Sequence, residues 1–546
     1  AFQQFFHEKN LAPYFGSIDS LTRAMGDVSF DHQGRRIQGM RMQNTGDVYA
    51  VNGWEAMPYD NHSGIVDIYR NCKGNPSTFT YYTQPLYVAV SPRTQFVHLP
   101  GKVPVDFYIV NEKNLSGKYR LSVSVCTPDG KEGKHIEKEV HITGGDCFGQ
   151  LLLENCQLAI EGASGLYQVK AQLRNTSGHL CAEGKDEVLG IYWDEKQLKG
   201  KGALYGTPDD PVATFYQKAT GCELPAFRSD MEKLDWIVVT RSSLDAPQPV
   251  PVEAFCQKEG KSVLELSLYK DDDLRTLAGV TQDNKIDRTF ADGAQPDPLL
   301  PANQSFSAIW DGKLKAPQSG TYMIGVTSDQ GMRLSVNGQR IVDEWRNNKE
   351  LTVVRPFLLK AGDEVAVRVE YSQRNPTGSV QLVWSLPDHA AIAPQELLDR
   401  VREDGTSLLL LKSAESWMDA VSAYTGSAYH GYYSVGKNWV GGVHFVKEHP
   451  LFNGLPVNVA MGWPYQALVR NGDRRLGLHI DNEELVAGSY SSAPFNLGSA
   501  VGIISCGKGK IYYSTLDLVD NLNNPAAAAD VARKLFCNFI LLSKDR

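Results

Sequence analysis

The chain has 546 residues, 42% hydrophobic and 22% charged, which is ordinary for packed globular protein and long enough for about three or four domains at ~150 residues each. A net charge of −8 argues against nucleic acid as the main partner. No apolar run reaches the ~18 residues that would make a membrane span, and the nine cysteines include no CxxC pair, which argues against a zinc ribbon or redox motif.

Residues 1–24 read as helical, with Phe2, Phe5, Phe6 and Leu11 on one stripe. The chain starts at Ala1 without a signal peptide, so a processed form or a fragment is expected. Residues 47–54, DVYAVNGW, read as a buried strand, followed by a polar loop from Glu55 to Asn61 and then HSGIVD. NGWEAMPYDNHSGIVDIYRN with YYTQPLYVAV resembles the last barrel strand and exit segment of glycoside hydrolase family 2 enzymes, the β-galactosidase type. That resemblance implies the C-terminal part of a (β/α)8 barrel over residues 1–85, with Trp54 and Glu55 at the strand end that lines the active site. It makes Trp54 a wall on which a sugar ring stacks, and Glu55, Asp60, Asn61 and His62 hydrogen-bonding partners of hydroxyls. The alternative is that Trp54 caps the barrel core and Glu55 is a solvated loop residue. A retaining glycosidase needs two carboxyl groups ~5 Å apart. In the resembled family both are glutamates on earlier strands, so no catalytic residue is assigned within this chain and the pair is expected upstream of Ala1. A pair made of Glu55 with Asp60 or Asp67 is the other arrangement that the loop permits.

Residues 86–186 switch to short alternating strands, such as LYVAVSP, VDFYIVNE and YRLSVSV, with turns at Pro128-Asp129-Gly130 and Gly144-Gly145. The spacing suggests an immunoglobulin-like sandwich. Cys147 and Cys156 are placed for a hairpin-spanning disulfide, the alternative being buried thiols. Residues 187–262 and 387–546 alternate strand and helix, as in EVLGIYW, Pro208–Thr220, LDWIVVTRSSL and PQELLDRVREDGTSLLLL. A doubly wound, flavodoxin-like α/β domain interrupted by an insertion is predicted. HPLFNGLP and GIISCGKGKIYYSTLDLV resemble a class I glutamine-amidotransferase-like domain. Such a domain would carry a nucleophilic Cys between a strand and a helix. Cys506 instead reads as the turn of a hairpin, and His430, His444, His449 and His479 have no telling spacing, so the domain is expected to be inactive. The aromatic stretch from Tyr424 to Trp439 reads either as a contact surface or as a packed loop.

The insertion, residues 263–386, has the clearest pattern. Phe306, Ala308 and Trp310, then Tyr322, Ile324 and Val326, then Leu334 and Val336 alternate with polar residues. Turns are predicted at Asp311-Gly312, Ser319-Gly320, Asp329-Gln330-Gly331 and Asn337-Gly338. These motifs, with Gly320-Thr321-Tyr322 and Asp343-x-Trp345, resemble the protective-antigen-type module, a β-sandwich often attached to carbohydrate-active enzymes. Some members of that family bind calcium and sugar through two consecutive aspartates. Here the second position is Gln330, which removes one hard oxygen ligand, so no cofactor is expected and calcium fits poorly. Asp329, Gln330, Asn337 and Asp343 are the candidate sugar contacts, with Trp345 beside them. The alternative makes Asp329 and Asn337 turn formers and both Trp310 and Trp345 core residues.

The overall expectation is a multidomain α/β plus all-β chain that belongs to a retaining hydrolase of terminal β-glycosides, β-galactosides first. The rival is a non-catalytic carbohydrate-binding or assembly protein. Both take an oligo- or polysaccharide partner, with a homo-oligomer in view and neither nucleic acid nor a membrane span. The family resemblance places the protein in the periplasm or outside the cell.

Overall fold

The computed structural model describes the chain except residues 1, 45–63, 68, 134, 199, 207–209, 229–230, 244–249, 254, 259–260, 263, 318–319, 386–393, 436–443, 470–474, 492–495 and 545–546. The fold is mostly β, in several sheets, and the chain divides into two compact units, residues 1–242 with 394–546, and residues 243–393.

The first unit opens with helices Phe2–Glu8, Ala12–Phe15 and Ile18–Met42. Ser17 caps the long helix by accepting from the Ser20 amide at 3.1 Å, and Asp19 complements the helix dipole in the first turn. The predicted apolar stripe is real where it is described: Phe6, Leu11, Phe15, Leu21 and Met25 pack with Phe445, Leu485 and Leu497. Gly34 lets the long helix touch the short helix Ser77–Thr83, because a Cβ there would lie 2.0 Å from the Tyr82 ring. The expected barrel strand at 47–54 lies outside the described residues, and so do Trp54, Glu55, Asp60, Asn61 and His62.

Residues 86–191 form two antiparallel sheets. One has the strands Leu86–Pro92, Gly101–Asn111 and Gly149–Ile160; the other has Phe96–His98, Leu180–Ile191, Gly165–Arg174, Gly117–Cys126 and Ile136–Ile142, with Phe96–His98 joined in parallel. Val88, Val105, Phe107, Leu121, Val169 and Val188, drawn from alternate positions, make the core between them. Cys147 and Cys156 are free thiols, as are the other seven cysteines.

The α/β part has four parallel strands in the order Gly202–Tyr205, Trp236–Val239, Ser407–Leu410, Gly509–Ser514. All four residues of each of the first three are buried, as expected for a sheet covered on both faces. Helix Pro211–Thr220 starts on an Asp210 cap, and with helix Asp530–Lys544 it covers the face that carries Trp236, Val238 and Leu409. The remaining strands extend this sheet in antiparallel fashion, beginning with the hairpin Asn496–Cys506 to Gly509–Ser514.

The second unit lies in sequence between strands Trp236–Val239 and Ser407–Leu410. It is a sandwich. One sheet runs Leu277–Asp283, Leu264–Tyr269, Phe306–Lys315, Glu364–Gln373, Gly331–Val336, Gln339–Glu344; the other holds Val250–Pro251, Gly378–Ser385, Gly320–Ser328, Leu351–Leu359 and Asp287–Phe290. The alternating residues predicted to face inward do so: Trp310, Tyr322, Ile324, Leu334 and Val336 share one core. Two expectations change. The predicted turn at Asp311-Gly312 is continuous strand, held because Asp311 pairs with Arg368 across the ladder at 2.8 Å. The unit also starts earlier than residue 263, since Val250–Pro251 pairs with Gly378–Ser385.

Candidate functional site

Four connections meet at one end of the inserted sandwich. They are Asp329-Gln330 between strands Gly320–Ser328 and Gly331–Val336, the segment Trp345–Lys349, the segment Arg374–Thr377, and the turn Asp271–Thr276. Polar side chains bind these loops to one another. Gln330 is only 3% exposed; its Nε2 donates to the Thr377 carbonyl at 3.0 Å and its Oε1 accepts from the Arg374 amide at 3.2 Å. Asn347 Nδ2 donates to the carbonyls of Ser328 and Gln330 at 3.1 and 3.2 Å. Arg374 Nε donates to Asp272 Oδ2 at 2.9 Å, and its Nη1 donates to the Trp345 carbonyl at 2.7 Å. Each loop is thereby held by at least one other, which preorganises the end of the sandwich.

Asp329 is the half-buried carboxylate of the first of these loops. Its Oδ1 accepts from the Ser379 amide at 2.7 Å and from the Ser379 hydroxyl at 3.3 Å, while Oδ2 accepts from none of the described residues. One oxygen is anchored and the other is open, the arrangement a carboxylate needs to receive a ligand hydroxyl without moving. Arg346, Asn375 and Thr377 on the other loops are exposed.

The structure separates the other candidates. Asn337 stands at the far end of strand Gly331–Val336, about 20 Å away at the usual rise per strand residue. It has φ 48° and its Oδ1 accepts from the Ala366 amide at 3.0 Å, so it builds a hairpin. Asp343 faces Arg333 across the ladder and pairs with it at 2.8 Å, which holds its carboxyl below the usual range. Trp345 is 8% exposed, and the Arg333 guanidinium covers its ring at 4.3 Å, so that face is closed to a sugar. Trp310 is core and donates through Nε1 to Asp283 at 3.0 Å.

Sequence reasoning missed Asp272, Asn347, Arg374 and Ser379. The run Asp271-Asp272-Asp273 was the available signal: three aspartates between strands mark a turn that must satisfy its own amides. Asp271 does this by accepting from the amides of Asp273, Arg275 and Thr276. Those bonds, led by that from Arg275, hold its carboxyl down at about 2. Because the folded pKa is depressed, its contribution to stability is present above the unfolded carboxylate range near pH 4 and is lost as pH falls toward 2. Asp271→Asn is therefore expected to abolish part of the acid-side slope of the unit's unfolding midpoint between about pH 4 and pH 2, measured by urea titration at each pH.

Few of the hard oxygen ligands that calcium prefers are on offer in the Asp329 loop. Asp329 is the one carboxylate in its loop, and both polar atoms of Gln330 are already used within the fold. Among the described residues no three His, Cys, Asp or Glu side chains gather to hold a metal.

Against this geometry, the sequence comparison is decisive for one part of the chain: the PA14 domain family matches residues 260–397. The inserted sandwich is a PA14 domain. A curated relative, the anti-sigma-I factor RsgI3 of Acetivibrio thermocellus, is 29% identical over 117 residues, which is 21% of this chain and 18% of that protein. The chain thus spans 18% of the length of the curated relative it matches. Among solved structures, an anti-sigma factor domain-containing protein from Clostridium clariflavum is similar at 16% identity over 56% of this chain and 94% of that one, with a TM-score of 0.23. The PA14 sugar-binding domain from an RTX adhesin is similar at 19% identity over 22% of this chain and 87% of that one, with a TM-score of 0.18. At such scores the structural likeness decides nothing further about this chain.

Outside the PA14 domain, the described candidates for chemistry are engaged in structure. Asp67 accepts from the amides of Tyr69 and Asn71 and from the Asn71 side chain, so it is a turn former. Cys506 ends a strand at a hairpin, is 3% exposed, and burial pushes its thiol up, away from the thiolate a nucleophile needs. His449 Nδ1 accepts from the Leu451 amide at 3.2 Å, and His430 lies 3.0 Å from Asp481. In the aromatic stretch, Tyr424 donates to Asp399 and stacks under Arg402, whereas Tyr432 is exposed; residues 436–439 lie outside the described part.

Proposed function

We propose that the chain binds carbohydrate through its PA14 domain, with the loops around Asp329 as the contact. The observation that carries this reading is Asp329 itself, anchored at one oxygen by Ser379 and open at the other, in a frame of interlocked loops. A fixed carboxylate accepts from a sugar hydroxyl more strongly than a neutral group does. Exposed Asn375, Thr377 and Arg346 add donors and acceptors within the same loops. The ligand is an oligo- or polysaccharide, and its binding proceeds without a metal because Gln330 stands where a second carboxylate would be needed.

Calorimetric titration of the intact chain with a bound glycan tests this. Asp329→Asn keeps the size and the Ser379 contact but removes the charge, and it is expected to weaken binding about tenfold or more. EDTA is expected to leave the affinity unchanged. Equal affinity of the variant would remove Asp329 from the site, and loss of binding in EDTA would restore calcium to it.

A finer reading places this binding in a larger enzyme, a family 2-like retaining hydrolase of terminal β-glycosides. It is supported by the resemblance of NGWEAMPYDNHSGIVDIYRN and by the order of helices, two-sheet sandwich and parallel α/β part. In that reading the two-sheet sandwich is immunoglobulin-like, the α/β part is amidotransferase-like and inactive, and Trp54 with Glu55, Asp60, Asn61 and His62 serves a sugar pocket. Sequencing the gene upstream of Ala1 tests it. An Asn-Glu pair and a second glutamate at strand ends are expected there, and a start codon next to Ala1 would end the hydrolase reading.

A further inference from the structure

A cavity of about 220 Å³ opens in the other unit, outside the carboxyl ends of the parallel strands Ser407–Leu410 and Gly509–Ser514. Ligands of open α/β sheets bind at this edge, because the loops that follow adjacent strands part there. The loop after Ser407–Leu410 brings Lys412, Ser413 and Glu415; the loop after Gly509–Ser514 brings Thr515, Asp517 and Asp520. Ser413 has φ 52° and ψ 37°, a left-handed conformation that a residue with a Cβ adopts at a cost of about 1 kcal/mol. It stands between a strand and the helical turn Ala414–Trp417. Neither the Ser413 hydroxyl nor the Glu415 carboxylate is taken by a described side chain or amide, whereas Lys412 is spent on Asp520 at 2.7 Å.

We propose that this cleft binds a small, neutral, polyhydroxylated molecule of monosaccharide size. Among the described residues that line the cleft, the one ammonium, Lys412, is already paired with Asp520, which leaves Glu415 as the carboxylate open to a ligand and disfavours an anion. A metal ion is disfavoured because, among the described residues, no three His, Cys, Asp or Glu side chains gather to hold one. Leu411, Leu476 and Leu516 are among the lining residues, and apolar carbon suits the C–H face of a sugar. The volume matches a single sugar ring, being below the roughly 300–1,000 Å³ of sites for drug-sized ligands. The cleft belongs to a different unit from the PA14 domain, so the proposal does not rest on the function proposed there.

The test is calorimetric titration of the intact chain with galactose, glucose and mannose, and with inorganic phosphate and propylamine as charged probes. At least one sugar is expected to bind. Glu415→Gln is expected to weaken that binding about tenfold. Ser413→Gly removes the hydroxyl and relieves the left-handed strain, so it is expected to weaken binding while the melting temperature stays level or rises. Asp329→Asn is expected to leave this site untouched. The proposal is overturned if none of the sugars binds, if phosphate or propylamine binds here in their place, or if sugar binding is indifferent to Glu415→Gln. It is also overturned if Asp329→Asn alone removes all sugar binding, a result that would uphold the PA14 site.

Discussion

Arg35→Ala lowers the stability of the first unit by about 3–5 kcal/mol, the loss expected when a buried ion pair is broken from one side. Arg35 projects from the long helix Ile18–Met42 and grips Asp186 with both nitrogens of its fork, at 2.9 and 2.8 Å, while its Nε holds Asp31 at 2.9 Å. The Asp186 side chain is 5% exposed, so without the arginine it is a carboxylate with no cation and little water. Burial already raises the Asp186 pKa, and Arg35 is the main opposing influence. Removing Arg35 raises it further. A carboxyl whose folded pKa is raised is favoured by the fold at low pH and costs stability as pH rises through that pKa. The loss in Arg35→Ala is therefore expected to be larger at pH 7 than at pH 4, and Asp186→Asn in the same chain is expected to recover part of it. Urea unfolding of the single and double variants at the two pH values measures this. A loss below about 1 kcal/mol, insensitive to pH, would class the pair with solvent-exposed bridges and contradict the account.

The second large effect is at Glu483, whose side chain is fully buried. It accepts from Lys9 Nζ at 2.6 Å and from the hydroxyls of Ser499 and Tyr513. Lys9 also donates to the Ile480 carbonyl at 2.6 Å and lies over the Phe5 ring. One carboxylate thus ties the N-terminal helices to the antiparallel part of the α/β sheet. Glu483→Ala strands an ammonium that is 12% exposed and a buried phenol at once. The expected loss is again about 3–5 kcal/mol. It should be local before it is global. The helix Phe2–Glu8 loses its ionic anchor and becomes a site of early proteolysis, while the Phe6 and Leu11 packing slows its release. Lys9→Met with Glu483→Leu is expected to recover most of the stability, since paired apolar replacements remove both desolvation costs. Limited proteolysis with mass identification of the first cut separates the cases; a first cut elsewhere in the Glu483→Ala chain would show that the N-terminal helices are held by packing alone.

The PA14 fold was legible because it depends on period-two alternation, which Phe306 to Val336 display almost without interruption. The Asp329-Gln330-Gly331 and Asn337-Gly338 turns were legible from turn chemistry. The continuous strand through Asp311-Gly312 was not, because the cross-strand partner that stabilises it, Arg368, is 57 residues away in sequence. The same limit explains the site. Grouping Asn337 with Asp329 follows from shared residue chemistry, but strand Gly331–Val336 carries them to opposite ends. Asp272, Asn347 and Arg374 join Asp329 only after four loops converge, and convergence is a property of register rather than of local pattern. Trp345, weighed from sequence as either a sugar contact or a core residue, is nearly buried, and Arg333 covers its ring. The predicted pocket around Trp54 lies outside the described residues, so its chemistry rests on the sequence resemblance.

A glycan-array screen of the intact chain beside its Asp329→Asn variant, in EDTA, tests the central claim most directly. The account predicts that the intact chain binds a defined set of glycans without calcium and that the variant loses that set. A chain that binds no glycan, or a variant that keeps the same set at the same strength, would contradict it.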